Sequence, residues 1–480
     1  MILEKITISN YKSIKKIDIP VKRINGSLTF SFLGINESGK SNILKAISFF
    51  ENADIKFPLD FHNPEKPVEI SFNYKLENFE KEELAIKLEK SFEAPNSFVK
   101  KINIEAIELK KSFTNNSNVT ETKKEIISFK PNVINGYKLE NNKIIQEKDK
   151  EINIEDFFKN SMKDYFWGEK HSVIFWKSEA KYLISGPINL SNFGANPKSI
   201  SVPLLNCFAL IGIEEKDILN EIGKLVDPTS ITNLVDKLND KVTEHINQIW
   251  KGHPIKIKFN INNNNISFLV EDTGVKYATK LTTQRSDGFR QFISFLLTLS
   301  IEKSNDSLSY TILLLDEPET HLHPTAQLNL KEELLNISSE LDSNNIVFYA
   351  THSSYLIDKM NLNRAFKVVK SDNVNTTINQ IHKTETSYSE INYEIFDIPT
   401  NDYHNELFGF LEEHKKIALN EIEKDRDWYN EKSKKYEKVS IAQYVRHSIH
   451  HPENTRNKKF REDTLRKSIS ILRNLKYDQN

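Results

Sequence analysis

The sequence predicts an α/β fold, split by a large mixed insertion and followed by an all-helical basic tail. Three observations predict it. Near the N-terminus a strand-like segment runs into a glycine turn and then into residues at helical spacing. Far downstream, a second dense α/β stretch centres on the aliphatic run Ile312-Leu313-Leu314-Leu315, which ends in two carboxylates. Between the two, residues 77–280 turn irregular and rich in Lys, Glu and Asn. A strand, a glycine turn and a helix in that order begin an α/β domain.

Composition bounds the possibilities. A chain of 480 residues accommodates two to four folding units at roughly 100–200 residues each. Its 66 Lys and Arg against 67 Asp and Glu leave a net charge of −1, which excludes a protein that coats polyanions over its whole surface. Any contact with nucleic acid then needs a local basic patch. Hydrophobic residues at 38% supply sizeable cores and exclude a disordered chain. A single cysteine, Cys207, excludes a disulfide framework and fits a reducing compartment. The first residues carry charges where a signal peptide would be apolar, and the longest apolar run, 292–301, is half the roughly 20 residues a membrane span needs. The expectation is a cytoplasmic protein with no membrane contact.

In chain order, residues 6–8 and 28–33 read as half-buried strands, and 41–50 place Ile43, Leu44, Ile47 and Phe50 at helical spacing. Residues 68–72 alternate again. Within the insertion, 173–176 form a short strand-like piece, while 214–225 and 230–250 carry apolar residues three and four apart, with Pro228 marking a break. These helices are too short for a long coiled-coil arm. Residues 255–261 and 266–270 flank an Asn-rich turn, as in a hairpin. Then follow a helix at 289–300, a buried strand at 312–315, a helix at 326–341 and a strand at 346–349. The expected domains are 1–75, the insertion 76–254, 255–400, and a helical C-terminal domain 401–480.

Gly34-Ile35-Asn36-Glu37-Ser38-Gly39-Lys40-Ser41 matches G-x-x-x-x-G-K-[ST] in full, after a strand and before a helix. Gly34, Asn36 and Gly39 belong to a backbone that curls its N–H groups around phosphates. Lys40 reaches the β- and γ-phosphates of ATP, and Ser41 offers a hydroxyl to Mg²⁺. Asp316, at the tip of the buried strand, is placed to share that metal. Glu317, one residue on, suits the polarisation of an attacking water. Past the next strand, His352 is expected to contact the γ-phosphate.

The stretch Asp316-Glu317-Pro318-Glu319-Thr320-His321-Leu322-His323-Pro324, followed by Thr351-His352-Ser353, resembles the ABC-type ATPases, nearest the RecF, OLD and SMC-like branch. The resemblance implies an ABC-type ATPase head (P-loop, RecF/OLD-like) over residues 1–75 and 255–372. It makes the acidic strand Walker B, the stretch after it the D-loop, and His352 the switch histidine. It also identifies Gln284-Arg285-Ser286-Asp287-Gly288-Phe289-Arg290-Gln291 as the signature motif. In that family Ser286 and Gly288 close in trans on the γ-phosphate held by a second subunit, so the resemblance implies a homodimer, or a higher homo-oligomer, assembled through ATP. The family's Q-loop glutamine has no counterpart among residues 51–67, where either Asp60 or Asn63 substitutes or the coupling differs.

Beyond the head no TOPRIM nuclease pattern follows His352. The remaining length resembles the ATPase subunits of anti-phage systems of the PARIS and Septu kind, which implies a sensor or scaffold, a separate nuclease subunit and a phage-encoded trigger. Residues 412–480 hold 17 Lys and Arg against 12 Asp and Glu, 17 − 12 = +5, a candidate nucleic-acid contact. Within them Arg446 and His451 fit the spacing of HEPN ribonucleases, a spacing common enough by chance to leave a docking or structural role the favoured alternative. A RecF-like DNA-repair ATPase is the remaining reading.

Overall fold

The computed structural model describes residues 1–477, except 52–54, 103, 105, 115–121, 130–132, 178–179, 185, 250–254, 275–278, 285–289, 291–292, 296, 298–309, 321, 340–342, 372–373 and 384–385. The chain forms two compact units, one of Met1–Leu356 with Asn363–Ile381 and one of Ile357–Leu362 with His382–Asn480.

The first unit is built on a six-stranded sheet. Its order is Asn375–Gln380, Ala365–Ser371, Thr29–Leu33, Ile346–Thr351, Thr311–Asp316 and Ser172–Lys177, all parallel except the first strand. Parallel strands covered on both faces need no polar side, which is why Thr311–Asp316 and Ile346–Thr351 read as unbroken apolar runs. Ile312 and Leu314 point into one core and Leu313 and Leu315 into another. Each such fully buried side chain contributes about 1.5–3 kcal/mol relative to exposure.

The first core lies against a five-stranded antiparallel sheet, ordered Ile14–Pro20, Ile2–Tyr11, Val68–Lys75, Ile107–Thr114 and Thr122–Phe129. The helix Lys40–Ser48 buries Ile43, Leu44 and Ile47 in this core. The second core gathers the helices Val202–Leu210 and Pro228–Ile249 and the hairpin Ile255–Asn262/Asn265–Asp272. Pro228 opens its helix, because a first-turn residue needs no N–H partner. Asn263 and Asn264 turn the hairpin with φ of 46° and 60°, the conformation a two-residue turn requires.

The strand expected at 173–176 is an edge strand of the central sheet, paired in register with Thr311–Asp316, and so belongs to the head's own core. It lies between the short helices Lys163–Gly168 and Ala180–Tyr182, so only the pairing reveals its place. Of the helix expected at 289–300, Arg290, 293–295 and Leu297 are described and helical.

In the second unit the helices Asn401–His414, Ile441–His450 and Glu462–Tyr477 enclose Tyr403, Leu407, Leu411, Val445, Leu465, Ile469 and Leu472. The helical C-terminal region has one addition to the expected all-helical tail, an antiparallel pair Arg426–Asn430/Lys435–Val439. The pair buries only Trp428, Tyr429 and Val439, too few apolar positions to signal a strand among so many charges.

Candidate functional site

Local chemistry shapes the phosphate loop. Gly39 sits at φ 108°, a conformation that favours glycine, and an added Cβ would meet Thr376 Oγ1 at 2.3 Å. At Gly34 a Cβ would stand 2.4 Å from the Val368 carbonyl oxygen. Strands from late in the chain therefore press on the loop from outside. Thr376 donates its hydroxyl to the Ser38 carbonyl at 3.0 Å, and the same oxygen lies 2.8 Å from Ser13 Oγ. Asn36 is exposed on the loop's crest.

Lys40 turns inward and donates to the carbonyls of Gly34 and Ile35 at 2.9 and 3.0 Å. Burial pushes its pKa down to about 8, opposed by the nearby carboxylates Glu317, Asp316 and Glu319. Ser41 Oγ donates to Asp316 Oδ1 at 2.9 Å, bringing together residues 275 apart in sequence. A hydroxyl beside a carboxylate oxygen, next to a phosphate loop, is a donor set suited to a hard divalent cation.

Glu317 adopts φ 50°, unusual for a side chain of its size, while its N–H donates to the Ala350 carbonyl at 3.0 Å. The strand thus ends abruptly and turns the carboxylate toward His352, whose Nε2 lies 3.4 Å from Glu317 Oε1. Burial, then the Lys40 charge, lowers the His352 pKa, with Glu317 opposing. At neutral pH the imidazole is neutral, and Nε2–H can donate to the carboxylate. Glu319, two residues on, is only 8% exposed, and its Oε1 accepts from Thr351 Oγ1 at 2.6 Å and from the His352 N–H at 2.9 Å. Burial raises its pKa.

Thus Lys40, Ser41, Asp316, Glu317 and His352 stand at one helix start and two adjacent strand ends. Ser286 and Gly288 lie outside the described residues. The two Q-loop alternatives have local work, since Asp60 accepts from the Lys56 N–H and Asn63 exchanges hydrogen bonds with Asn10. In the second unit Arg446 lies over the Phe408 ring at 4.5 Å and 3.5 Å from Glu412, whereas His451 Nδ1 faces Glu453 at 3.2 Å. The two side chains have different partners. The residues that pattern reading missed are Glu319, Thr376 and Val368. Thr376 and Val368 come from segments with no motif, while Glu319 sits inside a quoted motif without an assigned task.

Strand, phosphate loop, helix and an acidic strand end bonded to the loop's serine define a P-loop nucleotide-hydrolase site. The chain belongs to the AAA ATPase domain family, whose match covers residues 1–357. Those residues form an ATPase domain. It is 21% identical over 427 residues to endonuclease GajA of Bacillus cereus (strain VD045), covering 82% of this chain and 62% of that one. It is 24% identical over 168 residues to the Old nuclease of Escherichia phage P2, covering 32% and 28%. An uncharacterized protein of Methanocaldococcus jannaschii is 30% identical over 119 residues, covering 24% and 30%. The chain thus spans less than two thirds of each relative's length. Among solved structures, the SMC head domain from Thermotoga maritima has a TM-score of 0.38 at 14% identity, covering 80% of this chain and all of that one. The Smc head bound to the C-terminal domain of ScpA, from Pyrococcus furiosus, gives 0.41 at 13%, covering 79% and 96%. No helix among the described residues is long and apolar enough to cross a membrane.

Proposed function

We propose that this ATPase assembles with a second copy of itself around ATP and acts in the cytoplasm as the sensor or scaffold that controls a partner nuclease in anti-phage defence. The observation that carries the reading is the convergence of Lys40, the Ser41–Asp316 pair and the Glu317–His352 pair beside the phosphate loop. Kinship with two proteins named as nucleases supports a role beside nucleic-acid cleavage.

ATP binding draws Lys40 from the Gly34 and Ile35 carbonyls to the phosphates, exchanging neutral acceptors for charged ones. Ser41 and Asp316 would hold Mg²⁺, which supplies charge neutralisation at the transferring phosphoryl group when bound. Glu317 takes the proton of the attacking water, and His352 donates toward the γ-phosphate. A second copy lends Ser286 and Gly288, so hydrolysis requires association.

Glu317→Gln tests the assembly. It removes the proton acceptor and preserves shape, so turnover falls by about 10²–10⁴-fold while ATP still binds. Light scattering after size-exclusion should then show doubled mass with ATP and Mg²⁺. A variant that stays monomeric at saturating ATP refutes the shared site. For the defence role, Lys40→Ala within the native operon should lose protection against phage. Full protection by this gene without any neighbour refutes control of a partner.

A further inference from the structure

Glu319 is a buried carboxylate for which the reaction above has no use. Its Oε1 takes two donors, the Thr351 hydroxyl at 2.6 Å and the His352 N–H at 2.9 Å, while Oε2 is buried with no partner among the described residues. An unpaired buried oxygen on an acidic group is costly, so its retention needs a reason. Both donors belong to the end of the Ile346–Thr351 strand and the residue after it. Glu319 itself lies in the loop that follows Asp316. A second tie joins the same two loops, for Gln327 donates to the Leu322 carbonyl at 2.7 Å and accepts from Ser353 Oγ.

We propose that Glu319 is a positioning residue, which fixes the backbone at His352 so that its imidazole faces Glu317, and which makes the loop after Asp316 and His352 move as one. The proposal rests on His352 serving the ATPase reaction. A loop that shifts by a fraction of an ångström then carries the imidazole with it.

The test is steady-state ATPase kinetics together with the Kd of a non-hydrolysable ATP analogue. Glu319→Ala frees the His352 N–H, and displacing a reacting group lowers kcat by about 10- to 100-fold, with the analogue's Kd unchanged. Glu319→Gln keeps an acceptor oxygen and restores most of kcat. Because Glu319 acts through His352, Glu319→Ala/His352→Ala should turn over no more slowly than His352→Ala. Losses that multiply in the double variant, or a Gln variant as slow as Ala, overturn the proposal. Unchanged turnover in His352→Ala alone overturns the reading of His352, and with it the proposal. A slow His352→Ala beside a fast Glu319→Ala overturns only the coupling. If Glu319→Ala fails to fold, Thr351→Val removes one of the two donors at constant shape. It should lower kcat at constant Kd, and an unchanged kcat overturns the proposal.

Discussion

Thr376→Val is a small change with a defined expected cost. Thr376 is 2% exposed and lies in the edge strand Asn375–Gln380, where its N–H donates to the Ser13 carbonyl at 2.7 Å. Its hydroxyl donates to Ser38 of the phosphate loop and neighbours Ser13 Oγ. Valine keeps the volume that packs on Gly39 but leaves the Ser38 carbonyl without this donor, which costs about 1–3 kcal/mol. The free loop then spreads over other conformations, and ATP has to select the competent one. If the whole cost falls on binding, affinity drops by about 5- to 150-fold. The assay is titration with a fluorescent ATP analogue, beside thermal melting. Thr376→Ser keeps the hydroxyl and should bind like wild type. A valine variant that melts earlier yet binds ATP with unchanged affinity would refute the reasoning, since Thr376 would then stabilise the sheet alone.

Two further outcomes follow from the site. Lys40 has its pKa lowered from the ordinary lysine value to about 8, so above pH 8 the free protein holds it neutral and ATP binding must take up a proton. Affinity for the ATP analogue should therefore weaken as pH rises through about 8. By the same sign, protonated Lys40 opposes folding below pH 8, and that penalty fades between pH 8 and the unfolded lysine pKa; a pH-independent Kd from 7 to 9.5 would contradict the burial argument. Asp316→Asn keeps an acceptor for Ser41 but removes the charge, so the Mg²⁺ concentration giving half-maximal turnover should rise by about 10- to 100-fold. An unaltered Mg²⁺ requirement in a titration would show that the metal is held elsewhere.

Most of the head was legible because its signals are local. Gly39 needs its left-handed φ and Lys40 opens its helix whatever lies beyond them. The apolar runs at 312–315 and 346–349 announced strands, and they are unbroken because both faces of the parallel sheet are covered. Asn263-Asn264 announced their turn. The strand Ser172–Lys177 was harder to place, since its six residues fall within the irregular stretch 77–280 and gain their place only from pairing with Thr311–Asp316. Asn375–Gln380 is polar at every position but Ile378, because this edge strand buries only Thr376. Arg446 and His451 shared a spacing, yet the fold turned one onto Phe408 and the other toward Glu453.

The residues themselves determined which chemistry is available: a phosphate-cradling loop, an amine, a hydroxyl and two carboxylates, each set by a handful of contiguous positions. Tertiary structure alone decided who supports them. Thr376 reaches Ser38 from 338 positions away, and Glu319 holds His352 across 33. Contacts at such separations arise from sheet order and core packing. No short run of sequence records them, because the energy that fixes them is spread over two whole cores.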